Sequence, residues 1–204
     1  MSGKTQQDPL YNNVLKGKKM KNVLIVSGHT DLNTSVANKQ ILETLEAQLP
    51  EAEIVKLDSL YPDFKINTEA EQDRLLRAEV IVLQFPLFWW SAPSLLHRWM
   101  EETFLHGFSH GSTGDKLQGK KLLLSITAGG PTELYAEGGA MGHGIEYYME
   151  FLQASCRFTG MEFAGCVFTG GVSYANRTTP ELIAEQQAVA KEHAEKVVAE
   201  VNKL

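Results

Sequence analysis

The stretch "LQFPLFWWSAPSLLHRW", residues 83–99, decides how the chain is read. A run of apolar β-type residues stops at Pro86. Phe88, Trp89 and Trp90 then stand in a row, followed by Pro93 and an apolar-periodic segment ending in Arg98 and Trp99. The pattern is strand, loop, helix, with the rings in the loop. Bulky apolar side chains outside a core cost solvation unless something covers them: core, a partner subunit or a flat ligand. Pro86 and Pro93 stiffen the loop and lower the entropy cost of holding it open. Three consecutive rings cannot all face one interior. At least one is expected on a ligand and at least one at a subunit interface.

The same alternation extends in both directions. Upstream, "NVLIVS" (22–27) reads as a buried strand. Thr34 or Asn33 is placed to cap a helix running to about Leu49, which Pro50 stops. "EIVKL" (53–57) is a second strand. "TEAEQDRLLRA" opens with a capping-box pattern, Thr68 then Glu71. "EVIVLQF" (79–85) is the third strand, and the helix after it holds Pro93 in its first turn. "KLLLSIT" (121–127) is a fourth strand, and "IEYYMEFLQASCRFTG" is a helix. "EFAGCVFTG" is a fifth strand, and a long amphipathic helix begins at Pro180. Strands alternating with helices predict an α/β fold. The expected form is a flavodoxin-like five-stranded parallel sheet, order 2-1-3-4-5, with helices on both faces. Residues 21–204 are expected to form this single domain, after a polar, flexible extension over 1–20.

Composition narrows the function classes. The 204 residues are 43% hydrophobic and 22% charged, enough for one well-buried core. A net charge of −6 argues against a nucleic-acid partner. Cys156 and Cys166 lack metal or disulfide spacing and are expected as buried small hydrophobes in a reducing, cytoplasmic setting. No apolar run approaches the ~20 residues that cross a bilayer, and the N-terminus lacks the apolar region of a secretory signal. His106 and His110 have no carboxylate or thiolate in helical register, so no metal site is expected.

In a sheet of this order the ligand lies beyond the carboxyl ends of the strands, which directs attention to three loops. "SGHTDLNTS" joins a strand to a helix start, where backbone N–H groups and the helix dipole attract an anion. Thr34 and Ser35 add hydroxyl donors and His29 a donor or a positive charge; the alternative is a capped helix with no ligand. The glycines match neither a Rossmann nor a P-loop pattern. The second loop carries Trp89 and Trp90, a wall for a planar ring or else core and dimer contact. The third, "TAGGPTELYAEGGAMGHG", allows close backbone approach at Gly129 and Gly130. It also carries Tyr135 and His143, a phenol and an imidazole able to pass a proton. Its alternative is a surface loop with ordinary polar residues. A phosphate-bearing planar cofactor, a flavin, satisfies all three loops.

"QFPLFWWSAPSLLHRWMEETFLHGFSHG" resembles the signature of the NAD(P)H:quinone oxidoreductase family, and the resemblance extends over about residues 21–175. It implies a homodimer with flavin sites at the subunit interface and a two-step, ping-pong reaction. NADPH or NADH delivers hydride to the flavin and leaves; a quinone or nitroaromatic acceptor then takes two electrons. By position it implies that His29, Ser35 and Asn38 hold the phosphate end, while Pro86, Leu87, Phe88, Trp89 and Trp90 line the ring. Thr127, Ala128, Gly129 and Gly130 would contact the ring's polar edge, Ala128 standing where many relatives carry threonine. Tyr135 and His143 would form the proton relay, and Phe108 and His110 would shape the acceptor pocket. FMN is expected from the compact length, with FAD the alternative. Some family members are ancillary subunits of potassium-efflux transporters, so a membrane-transporter partner is a second reading; a flavodoxin-type electron carrier is a third.

Overall fold

The computed structural model describes residues 21–204; the expected extension over 1–20 lies outside the described residues. Five strands form the sheet: β1 (Val23–Ser27), β2 (Glu53–Lys56), β3 (Val80–Pro86), β4 (Lys121–Thr127) and β5 (Glu162–Thr169). Every pairing is parallel, and the order is β2-β1-β3-β4-β5, as the alternation predicts. The helices are α1 (Ala37–Gln48), α2 (Leu57–Leu60), α3 (Thr68–Arg77), α4 (Ser94–Thr103), α5 (Ile145–Tyr148), α6 (Glu150–Thr159) and α7 (Pro180–Lys203).

Strand side chains alternate between two cores. Leu24, Val26, Ile81, Leu83, Phe85, Leu122, Leu124 and Ile126 pack against α3, α4 and α6. Ile25, Val80, Val82 and Leu123 pack against α1 and α7 through Ile41, Leu45, Ala190, Ala194 and Val197. All seven residues of β3 are buried, which is why it reads as an apolar run broken only by Gln84. At the carboxyl end the second face turns polar: Ser27, Gln84, Ser125 and Thr127 are buried there, with Ser27, Gln84 and Ser125 aligned across β1, β3 and β4. β5 carries one extra residue, Ala164, between the partners of Leu122 and Leu123, and Gly165 beside it takes φ +117°.

Several local expectations are corrected. Neither Asn33 nor Thr34 caps a long helix: Asp31 caps a 3-10 turn over Leu32–Thr34, and α1 starts at Ala37. Ser35 Oγ accepts the Asn38 N–H at 3.2 Å and does the capping there. The Thr68–Glu71 box does not form. Asn67 caps α3 by accepting from the Ala70 N–H. Glu71 turns inward, fully buried, and accepts from Tyr61 Oη at 2.6 Å and Trp99 Nε1 at 2.9 Å, with Arg74 as its ion partner. Burial and this carboxylate push the Tyr61 phenol up to about 12. Trp99, at the end of the opening stretch, therefore anchors α4 to α3 in the core. Leu57 starts α2 rather than ending β2, and the helix expected from 145 breaks at Met149 into α5 and α6. Pro93 stands just before α4, not within its first turn.

Candidate functional site

Three loops converge at the carboxyl edge of β1, β3 and β4, and backbone hydrogen bonds fix their spacing. Gly28 N–H donates to Gln84 O at 2.8 Å, Leu87 N–H to Thr127 O at 2.7 Å, and Ala128 N–H to Thr169 O at 3.0 Å. A Cβ on Gly28 would lie 2.8 Å from Leu96, so only glycine lets α4 sit this close to β1.

In the first loop His29 is 2% exposed. Its Nδ1 accepts the Asp31 N–H at 3.0 Å, so the neutral ring carries its proton on Nε2. Burial lowers its pKa, overcoming Asp58 and Asp31, and nearby Arg177 lowers it further. His29 is thus a neutral donor, not a positive charge. Ser35 and Asn38 are buried. Asn38 faces the sheet: its Oδ1 accepts from Gln84 Nε2 at 2.6 Å and Thr127 Oγ1 at 3.1 Å, and its Nδ2 donates to Ser35 Oγ at 3.1 Å. The amides at the start of α1 have no intrahelical acceptor. A hollow of about 270 Å³ opens beside them, lined by Thr34, Ser35, Val36 and Lys39 among others.

The second loop is a two-residue turn. Phe88 and Ser91 exchange both N–H···O bonds at 3.0 Å, with Trp89 at φ +50° and Trp90 at φ +58° between them. Positive φ at both central positions is the type I′ signature, which favours Asn-Gly; two tryptophans there are strained. The turn projects Trp89, 89% exposed, and Trp90, 43% exposed, beyond the sheet edge. Phe88 instead packs edge-on to His29 at 6.1 Å, joining the first two loops. Ser91 Oγ lies 3.0 Å from His97 Nε2, and His97 stacks on Phe151, which pins the turn to α4 and α6.

In the third loop Thr127 and Ala128 are buried and Gly129 is exposed. A Cβ on Gly130 would come within 3.2 Å of Tyr135 Oη, so the phenol lies directly over this glycine. Tyr135 packs edge-on to Phe168 at 5.3 Å. Burial, then Tyr148, raises its pKa, keeping it a protonated donor at neutral pH. His143 stacks on Tyr147 at 3.8 Å and meets Tyr148 edge-on; no ring contact or hydrogen bond joins it to Tyr135 among the described residues. Phe108 packs against the α3–α4 core. His110 lines a different hollow, about 340 Å³ between α4 and α6, with His97, Met100, Phe104, Phe151 and Phe158; none of the three loops lines it.

Three polar residues escape a sequence reading. Gln84 lies within the apolar run of β3. Arg177, after β5, donates to Thr34 O and sits 3.9 Å over the Tyr174 ring, while its buried Nε has no protein partner. His193 of α7 is fully buried, between Ser125 Oγ and Thr169 Oγ1, each at 2.8 Å. Only the first has a visible signal, an amide amid Val, Leu and Phe.

This donor set suits an anion: Ser35, the α1 amides, and a guanidinium with an unfilled N–H at the same loop. The Trp turn and the close Gly130 backbone suit a flat ring. A phosphorylated flavin fits the residues present. Sheet order and site together define a protein of flavodoxin-like architecture. The comparisons place it within that class: the chain belongs to the family described as flavodoxin-like fold, which matches residues 21–194. It is 39% identical over 144 residues to YrkL, an uncharacterised NAD(P)H oxidoreductase of Bacillus subtilis (strain 168), covering 71% of this chain and 82% of that protein. It is 40% identical over 141 residues to KefF of Salmonella typhi, an ancillary protein of a glutathione-regulated potassium-efflux system, covering 69% and 78%. Among solved structures, general stress protein 14 of Treponema denticola, in complex with FMN, superposes with a TM-score of 0.77 at 23% identity, over 88% of this chain and 99% of that one. No helix among the described residues is long and apolar enough to cross a membrane.

Proposed function

We propose that the chain is a flavin-dependent NAD(P)H:quinone or nitroaromatic oxidoreductase with FMN as its cofactor. The observation that carries this reading is the convergence of an anion seat, an aromatic turn and a glycine backbone at one sheet edge, tied by the Leu87–Thr127 bond and the His29–Phe88 contact. When bound, the flavin supplies two-electron hydride chemistry between a nicotinamide, NADPH or NADH, and the acceptor. The protein supplies position and protons. Ser35, the start of α1 and Arg177 would hold the phosphate. His29, neutral, donates from Nε2. Trp89 and Trp90, tilted 57° to one another, would wall the ring and shield it from water, and the Gly129–Gly130 backbone would approach its polar edge. Tyr135 holds a proton on Oη over Gly130 and would offer it to the polar edge of the ring; His143, exposed and stacked on Tyr147, would be the solvent-side member of the relay.

The α4–α6 face supports a homodimer. Phe158 is 70% exposed there, beside His110 at 4.9 Å and over the hollow that Phe104 and Phe151 line; an apolar patch of this kind marks an association surface. In such a dimer His110 reaches an acceptor pocket from across the interface. The relationship to KefF supports a second reading, an ancillary role beside a cytoplasmic face of a potassium-efflux transporter.

Purified protein is expected to be yellow and to be bleached by NADPH. Denaturation should release FMN, identified by mass. A colourless protein that takes up neither FMN nor FAD refutes the reading. Regulation of a transporter that survives Tyr135→Phe, with reduction abolished, would favour the second.

A further inference from the structure

The proposed phosphate seat contains a chain of hydrogen-bonded side chains that runs from inside the sheet to Ser35. Gln84 is fully buried on β3. Its Oε1 faces the Ser27 hydroxyl at 3.4 Å, and its Nε2 donates to Asn38 Oδ1 at 2.6 Å. Thr127 Oγ1, at the end of β4, donates to the same oxygen. With Gln84 Nε2 and the Thr127 hydroxyl both donating, the Asn38 carbonyl faces the sheet and Nδ2 faces Ser35. Ser35 Oγ then receives two N–H groups, from Asn38 Nδ2 at 3.1 Å and Asn38 N at 3.2 Å. A hydroxyl has two acceptor sites and one donor. With both acceptor sites filled, the Ser35 O–H can only donate, away from Asn38.

We infer that Gln84 is a positioning residue: through Asn38 it makes Ser35 an obligate donor and so selects a phosphate over an uncharged hydroxyl terminus. It touches no ligand itself. This rests on the flavin reading above and adds the residue that sets phosphate recognition. It also explains the polar switch in three strands: Ser27, Gln84 and Thr127 form the inner end of one relay.

The test compares FMN with riboflavin, which lacks only the phosphate, by fluorescence titration of the apoprotein. The ratio of the two dissociation constants reads the phosphate's contribution. Gln84→Met keeps length and removes the donor; the ratio is expected to fall about tenfold, the effect of one buried hydrogen bond, with riboflavin binding unchanged. In a Ser35→Ala background the same substitution should leave the ratio unmoved, because its effect passes through that hydroxyl. If Gln84→Met does not fold, Gln84→Glu in alkaline buffer carries the test, since a carboxylate of the same shape offers only acceptors to Asn38. An equal loss for both flavins, or losses that add across Gln84 and Ser35, overturns the inference and leaves the flavin reading standing. Wild-type protein that binds neither flavin overturns both.

Discussion

Trp89→Asn should make the apoprotein more stable and the cofactor complex weaker. Trp89 holds φ +50° at the first central position of the Phe88–Ser91 turn, with 89% of its surface in water. A left-handed conformation costs a bulky residue about 1–2 kcal/mol, and Asn tolerates it at this position. Almost no burial is lost in exchange, so the expected gain is about 1 kcal/mol, near 3 °C in Tm for a chain of this size. Trp90→Gly is the contrast. It relieves similar strain, but Trp90 is only 43% exposed. Roughly half of its surface is hidden, on the order of 100 Å² and about 2.5 kcal/mol at most. Lost burial should outweigh relief, leaving that variant less stable by about 1 kcal/mol. Urea unfolding of apoprotein measures both, and FMN titration should show a Kd about tenfold higher for Trp89→Asn, the loss of one aromatic wall. Destabilised Trp89→Asn apoprotein would refute the strain assignment. Unchanged FMN affinity would remove Trp89 from the ring site.

Two further outcomes follow from the buried framework. His193 has its pKa lowered to about 4 by burial, with Lys196 adding to the effect, against 6.5 for a free imidazole. Between those values the unfolded chain binds the proton and the folded chain does not, so stability is full above pH 6.5 and falls as pH drops toward 4. The loss amounts to about 3 kcal/mol, and His193→Asn should flatten that part of a urea-derived stability–pH curve. Gly28→Ala drives a methyl to 2.8 Å from Leu96. It should cost about 1–3 kcal/mol and loosen FMN binding by shifting α4; a crystal structure showing α4 unmoved with normal affinity would contradict that.

How far the sequence discloses the molecule depends on which forces are local. Parallel pairing follows from alternation, because parallel strands need helical crossovers, and five such strands in one domain point to the 2-1-3-4-5 order; the buried run 80–86 is apolar but for Gln84. The three loops were legible because their residues violate local expectation: rings in a turn, paired glycines, hydroxyls before a helix. Capping was not legible. Asn67, Thr68 and Glu71 compete for the same helix start, and the tertiary demand of Tyr61 Oη and Trp99 Nε1 for an acceptor takes Glu71 inward. Arg177 and His193 are distant in sequence from the groups they serve, Thr34 and Ser125, and only the folded sheet brings them there.

One pattern was present and carries a general reading. On the α1–α7 face, strand residues two apart switch from Ile25 to Ser27, from Val82 to Gln84, and from Leu123 to Ser125 and then Thr127. The parity is kept while the chemistry changes, at the same level in three adjacent strands. Apolar residues there would pack equally well, and each buried polar group carries a desolvation cost that its partner must offset. A network retained at such cost in the sheet's most protected layer has work beyond packing. Its outer members are Ser35, at the anion seat, and the Thr127 backbone that receives Leu87. The rigid, polar floor and the strained Trp turn are therefore complementary. On the proposed flavin reading, the floor would fix where a phosphate and a ring edge lie, and the turn, held against its own backbone preference, would present the rings that close over them.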